Sequence, residues 1–223
     1  RATQGFGATS AVHVSFTTAL DETSIPTGVV RTRSSRVQLI NIEEGLHFGE
    51  RAPIELYFAA NGGPFGHTNV LSVLPVQGVP LRASERYALV VMRGLESDDH
   101  RPVERAPEMD AIARGESVPG LGSAQARYVD AYATLPRVDV AVDDVLAMGV
   151  FTPQDPTAVM RRAAETTTTR IVPTALEPQG VFADYCSFHA TAQVPVFQQG
   201  VPPYQSAGGA WVTAVPVSAR MSM

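Results

Sequence analysis

Turn-forming residues interrupt this chain so often that apolar runs stay short. With 18 Gly and 17 Pro in 223 residues, the longest unbroken apolar stretch is Tyr87–Met92. A membrane-spanning helix needs about 20 apolar residues, so that stretch is far too short to be one. Short strands joined by tight turns fit this punctuation best.

The strands show in the periodicity of the first ninety-odd residues. Val12, Val14 and Phe16 alternate with His13 and Ser15, the pattern of a strand with one buried face. Gln38, Ile40 and Ile42 form a second alternating set, and Ile54, Leu56 and Phe58 a third, with Glu55 and Tyr57 pointing away. Val70–Leu74 and Tyr87–Met92 are apolar on both faces, which suits central strands. Pro26-Thr27-Gly28, Glu43-Glu44-Gly45, Asn61-Gly62-Gly63-Pro64, Gln77-Gly78 and Arg93-Gly94 supply the turns. Strands at this spacing predict a mainly β fold, an immunoglobulin-like β-sandwich over residues 1–152.

Within that span, residues 97–123 are polar with Pro and Gly and read as an exposed excursion. Ser123 then offers an N-cap for a short helix in which Ala124, Tyr128, Ala131, Tyr132 and Leu135 recur at helical spacing, so the excursion runs 97–135. Val145–Phe151 returns to strand composition as a last strand of the sandwich. Residues 153–223 read as a helix followed by an extended, Pro-rich linker. Asp155-Pro156 starts the helix, Val159, Met160 and Ala163 give its buried stripe, and Thr166–Thr169 ends it. Pro173, Pro178, Pro195, Pro202, Pro203 and Pro216 then forbid a long helix; Phe188–Phe197 is the best strand of the tail, and Gly200–Gly209 is loop. The chain starts at Arg1 and stops just after a strand-like stretch, and both ends are expected to be cuts in a longer polypeptide.

Composition narrows function by exclusion. Apolar residues at 44%, charged residues at 17% and a mean hydropathy of +0.02 rule out general disorder. A net charge of −5 without a basic cluster argues against a nucleic-acid surface. All 17 basic residues are Arg. Cys186 is the only cysteine, so neither a disulfide framework nor a thiolate metal cluster can form within the chain.

Each motif with chemical potential reads better as structure. Gly115-Glu116-Ser117-Val118-Pro119 comes nearest to a serine nucleophile elbow, but Pro replaces the second Gly and no strand precedes it. Cys186 and His189 would face opposite sides of a strand, and a lone Cys is usually a small buried hydrophobe. His13, His47, His67, His100 and His189 lie at no metal-ligand spacing from one another. Glu96, Asp98 and Asp99 before His100, and Asp139, Asp143 and Asp144, do not match a calcium loop and read as solvated turns. Gly120-Leu121-Gly122-Ser123 reads as a flexible approach to the helix rather than a phosphate cradle. No catalytic, cofactor-binding or metal-binding residue is therefore assigned, and no cofactor is expected.

Several segments carry a resemblance. Val14-Ser15-Phe16-Thr17-Thr18-Ala19-Leu20-Asp21-Glu22-Thr23-Ser24-Ile25 and the stretch Leu81–Val91 followed by Gly94-Leu95 resemble the strands of bacterial Ig-like modules. Gly62–Gly66, Val150–Thr157 and Val194–Tyr204 extend the likeness, from about Gly5 to about Val217. They are similar to the N-terminal Ig-like region of large secreted or surface bacterial α/β-hydrolases of the lipase and virulence-factor-lipase type. Asp98-Asp99-His100 departs from that pattern, standing where a Gly-containing turn is common, and residues 105–123 look like an insertion. The resemblance implies an extracellular, cell-surface or periplasmic module without catalytic residues, partnered by a hydrolase domain of the same polypeptide or a neighbouring subunit. The other expectation is a structural or adhesive subunit that assembles, also as a homo-oligomer, through edge strands or its extended tail.

Overall fold

Strands form where β-branched and aromatic residues run between turn residues, and in the computed structural model of the chain they gather into antiparallel sheets. Residues 5–62, 66–166, 174–198 and 211–222 are described. The chain divides into two units, residues 1–156 and 157–223. The fold is mainly β, with few helices.

The first unit contains β1 (Val12–Ser15), β2 (Val37–Asn41), β3 (Arg51–Ala52), β4 (Ile54–Ala59), β5 (Val70–Pro75) and β6 (Tyr87–Met92), then α1 (Pro107–Ala113), α2 (Ala124–Thr134) and β7 (Val145–Phe151). One sheet has the order β1-β5-β4 and the other β3-β2-β6-β7. Leu39, Leu89 and Val91 of the four-stranded sheet share an apolar cluster with Ile54, Leu71 and Val73 of the three-stranded one. On the opposite side of the four-stranded sheet, Ile40, Ala88, Val90 and Met148 pack with Ile112 of α1 and Ala131 and Tyr132 of α2. The four-stranded sheet is thus covered by apolar side chains on both faces.

That double covering changes the reading of β2. Gln38, Ile40 and Ile42 alternate in the sequence as if their partners faced water, yet every residue from Val37 to Asn41 is buried. Gln38 is accommodated because its amide donates to the Arg33 and Ser35 carbonyls at 2.8 and 2.9 Å and its oxygen accepts from Arg51 Nε at 3.1 Å. The converse holds for β5, where burial alternates: Leu71 and Val73 point inward while Ser72 lies on the other face.

The stretch 97–135 holds two helices. Met109, Ile112 and Ala113 give α1 an apolar face at i, i+3, i+4 spacing, and Ile112 is buried. Gly115, at φ +74°, ends the helix in the left-handed region that costs glycine nothing, with its N–H on the Ile112 carbonyl at 2.9 Å. Helix α2 begins at Ala124 as expected, but Ser123 has helical dihedrals and its side chain caps nothing. Gln125 ties the preceding loop down instead, accepting from Val118 N at 2.9 Å and donating to the Glu116 carbonyl at 2.8 Å.

In the second unit, α3 (Ala158–Thr166) precedes β8 (Glu177–Val181), β9 (Cys186–Gln198) and β10 (Trp211–Ser222). Helix α3 starts two residues beyond Pro156; Ala163 is buried and Met160 is exposed. The Val159 side chain, Thr167–Thr169 and Gly200–Gly209 lie outside what is described. The extended tail pairs with itself in an antiparallel sheet of order β10-β9-β8. Pro195 lies opposite Pro216 there, so neither can donate to the ladder at that rung. Among the described residues, no helix is long and apolar enough to cross a membrane.

Candidate functional site

Two places on the first unit bring chemically capable side chains together. The first is a rim where the chain leaving β1 meets the chain leaving β6. Leu20 bridges Ser97, Asp21 N donates to the Glu96 carbonyl at 2.9 Å, and Asp98 N donates to the Ala19 carbonyl at 3.1 Å. These main-chain bonds set Asp21 beside Glu96 and His100. His100 Nδ1 lies 3.3 Å from Asp21 Oδ2 and 3.9 Å from Glu96 Oε2.

The ligand atoms of Asp21, Glu96 and His100 all fall within 4.8 Å of one another, near enough to face a single divalent cation with a mixed nitrogen–oxygen set. The same spacing is what an imidazolium paired with two carboxylates produces. Local bonding already explains Asp21: hydrogen bonds from the Thr23 hydroxyl and then the Thr23 N–H hold its carboxyl below the usual range, with the His100 charge a smaller cause. Asp99 is lowered chiefly by its bond from the Ser97 hydroxyl. His100 has φ +59°, a left-handed conformation that glycine adopts without steric cost. It falls in the Asp98-Asp99-His100 turn.

The second place is the outer face of the three-stranded sheet. The registers put His13 of β1 opposite Ser72 of β5, and Ser72 opposite Tyr57 of β4, so the three residues form one row across the sheet. His13 Nδ1 and Ser72 Oγ are 3.0 Å apart. A Ser–His contact can generate a nucleophile, but acyl transfer also needs N–H groups aimed at an oxyanion. Ser72 sits on the central strand, whose main-chain donors are committed to ladders on both sides.

The remaining singled-out residues are dispersed. Ser117 is exposed in the loop after α1, and His67 is exposed. His47 Nδ1 lies 3.1 Å from Glu50 Oε1. Asp139, at φ +60°, pairs with Arg33. Asp143 contributes its carbonyl to Arg105, whose almost buried guanidinium also bonds the Val142 and Val145 carbonyls and the Asp110 carboxylate. Cys186 is exposed rather than buried, because it opens β9 next to a turn; His189 farther along has a buried Nε2. Gly120 and Gly122 have φ of +89° and +49° in the approach to α2.

No single-chain pattern could have found either convergence. Asp21 joins Glu96 and His100 only through the β1 and β6 exits, and the His13–Ser72–Tyr57 row exists only once two strand registers are set. No protein-family model matches the chain, and no curated protein matches it.

Proposed function

We propose that the chain is a non-catalytic, immunoglobulin-like β-sandwich module of a secreted or surface bacterial hydrolase of esterase or lipase type. In this reading it scaffolds or shields a catalytic domain of the same polypeptide or a neighbouring subunit, outside the cytoplasm. The shared apolar cluster between the two sheets carries the reading, since it is the core a sandwich requires. Support also comes from two cations that are largely buried among the described residues. Arg51 and Arg105 direct their guanidinium groups onto main-chain carbonyls, a use that stiffens loops rather than polarises a substrate.

The test is the coding sequence around this chain together with an esterase assay. The proposal expects a Gly-x-Ser-x-Gly motif in the encoded polypeptide after Met223. It also expects the intact polypeptide to hydrolyse p-nitrophenyl butyrate while the 223-residue chain does not exceed the blank. Hydrolysis by the chain alone, abolished by a serine-reactive phosphonate, would overturn it.

A second reading, a structural or adhesive subunit assembling through edge strands, is favoured by the second unit. Its strands β8 and β10 are sheet edges, and Val181, Phe182 and Tyr185 are exposed around the β8–β9 turn. Light scattering separates the two: multiples of 23.8 kDa that grow with concentration favour assembly.

A further inference from the structure

We propose that the outer face of the β1-β5-β4 sheet binds a neutral glycan, with one pyranose ring resting on Tyr57. The inference goes beyond the hydrolase reading and does not depend on it.

The argument begins with what the sheet leaves outside. In β4 the inward positions are taken by Ile54, Leu56 and Phe58, so alternation sends Tyr57 outward, where it is 70% exposed. An aromatic ring on a flat strand surface presents an apolar face without the entropy of a long flexible chain. Adjacent strands lie about 4.8 Å apart, so the Tyr57–Ser72–His13 row spans roughly 10 Å, the width of one or two sugar rings. Glu55 lies on the same face of β4, two residues before Tyr57.

The surface is also recessed. His13, Gly28, Glu55, Tyr57, Ser72 and Leu74 line a depression of about 470 Å³. Gly28, at φ +71° in the turn before β2, is one of the lining residues, and a Cβ built there would meet nothing within 4 Å. Ser72 is on the central strand, and its hydroxyl lies against His13.

The chemistry of the lining selects the ligand. A pyranose has one face of C–H groups and a rim of hydroxyls that both donate and accept. Tyr57 meets the apolar face, while the Glu55 carboxylate, the Ser72 and Tyr57 hydroxyls and the His13 ring supply acceptors and donors for the rim. Glu55 and the chain's net charge of −5 disfavour phosphate, sulfate or uronate ligands, and the same charge opposes a nucleic acid whose bases might stack on Tyr57. An apolar peptide side chain would desolvate the Glu55 carboxylate without offering it a donor.

Affinity electrophoresis of the whole chain through gels containing hydroxyethyl cellulose, xylan, laminarin, galactomannan or dextran tests the proposal. At least one neutral polysaccharide should retard the protein. Tyr57→Ala should weaken that retention by about tenfold or more, the usual consequence of removing a stacking anchor. Tyr57→Phe should keep most of it, and Ser72→Val should lose part. Leu46→Ala, at a residue 91% exposed elsewhere on the unit, should change nothing. Unchanged melting temperatures establish that the variants fold. If Tyr57→Ala fails that check, isothermal titration of Glu55→Gln and Ser72→Val with an oligosaccharide of the retaining polymer replaces it. Retardation by none of the five polymers, wild-type retention by Tyr57→Ala, or tighter retention by heparin than by all five would overturn the proposal.

Discussion

The two sheets of the first unit spend their residues in opposite ways. In the four-stranded sheet, β2 and β6 are buried along almost their whole length, including Gln38 and Asn41. In the three-stranded sheet, β5 buries every second residue, while β1 and β4 alternate between half-buried or buried inward positions and exposed outward ones. One sheet is therefore all core, and a substitution on either of its faces must disturb packing. The other can vary its outer residues at little cost in stability, and that freedom is where a binding surface can arise. The difference separates the part that holds the module together from the part that can meet something else.

The largest expected effect tests the first half of that statement. Leu89 is fully buried in the middle of β6, within the cluster shared by both sheets. Leu89→Ala should cost about 3 kcal/mol, the transfer loss plus the cavity left behind. For a unit of this size that lowers the melting temperature by roughly 6–12 °C. Leu74→Ala, on the outer face of β5, should cost no more than about 1 kcal/mol. Equal losses for the two variants, measured by urea or thermal unfolding, would break the comparison.

Next in size is Arg51, the buried charge of the all-core sheet. Its guanidinium reaches Gln38, the Gly49 carbonyl at 2.7 Å and the Val138 carbonyl, joining β3 to β2 and to the turn after α2. Burial pulls its pKa down, but arginine starts so high that it remains charged. Arg51→Ala strands those acceptors and should cost about 2–3 kcal/mol. Arg51→Lys should recover only part, since an ammonium cannot span three acceptors held in the plane of a fork.

Which sheet a strand belongs to is the least legible feature of the sequence. The positions of β1, β4, β6 and β7 are legible because apolar residues fall between turn residues. The covering of each strand is not. Gln38, Ile40 and Ile42 look like one face of a half-buried strand because a polar residue that will be fully hydrogen-bonded inside is spelled the same as one that will face water. Ser72, set among four aliphatic residues of β5, gives the opposite error. Helix α2 shows over eleven residues, but the seven of α1 are too few to stand out between Pro and Gly. The chemistry is less legible still. Asp21 gives no local sign that it will stand beside His100, and Tyr57 reads only as a residue pointing away from the core.

The rim tests how the two sheets are clasped at their ends. Asp21 follows β1 of the half-open sheet, while Glu96 and His100 follow β6 of the closed one. The Asp21 carboxyl is held below its ordinary value of 3.8, first by the Thr23 hydroxyl and N–H and less by His100. Its contribution is therefore fully present above that value and lost as pH falls through the lower, folded one. Asp21→Asn should melt below the parent at pH 7, and the gap should close as pH falls through the lowered carboxyl pKa. A gap that persists at pH 2 would mean that the Asp21 carboxylate, bonded chiefly by Thr23 and less by His100, does not stabilise the rim through its charge.

The smallest effect lies on the open face and asks whether its polar row is a unit or three neighbours. His13 and Ser72 are directly opposite across β1 and β5, and their side chains touch at 3.0 Å. A cross-strand pair at the surface has a coupling of only about 0.2–1 kcal/mol, because water competes for both partners. The cycle of His13→Ala, Ser72→Ala and the double variant should give a value near the lower end of that range by chemical denaturation. Neither single variant should cost more than about 1 kcal/mol. A coupling above 2 kcal/mol would show that this face is packed like the four-stranded sheet. It would then be an interior surface whose cover lies elsewhere, and Tyr57 would not be free to meet a ligand.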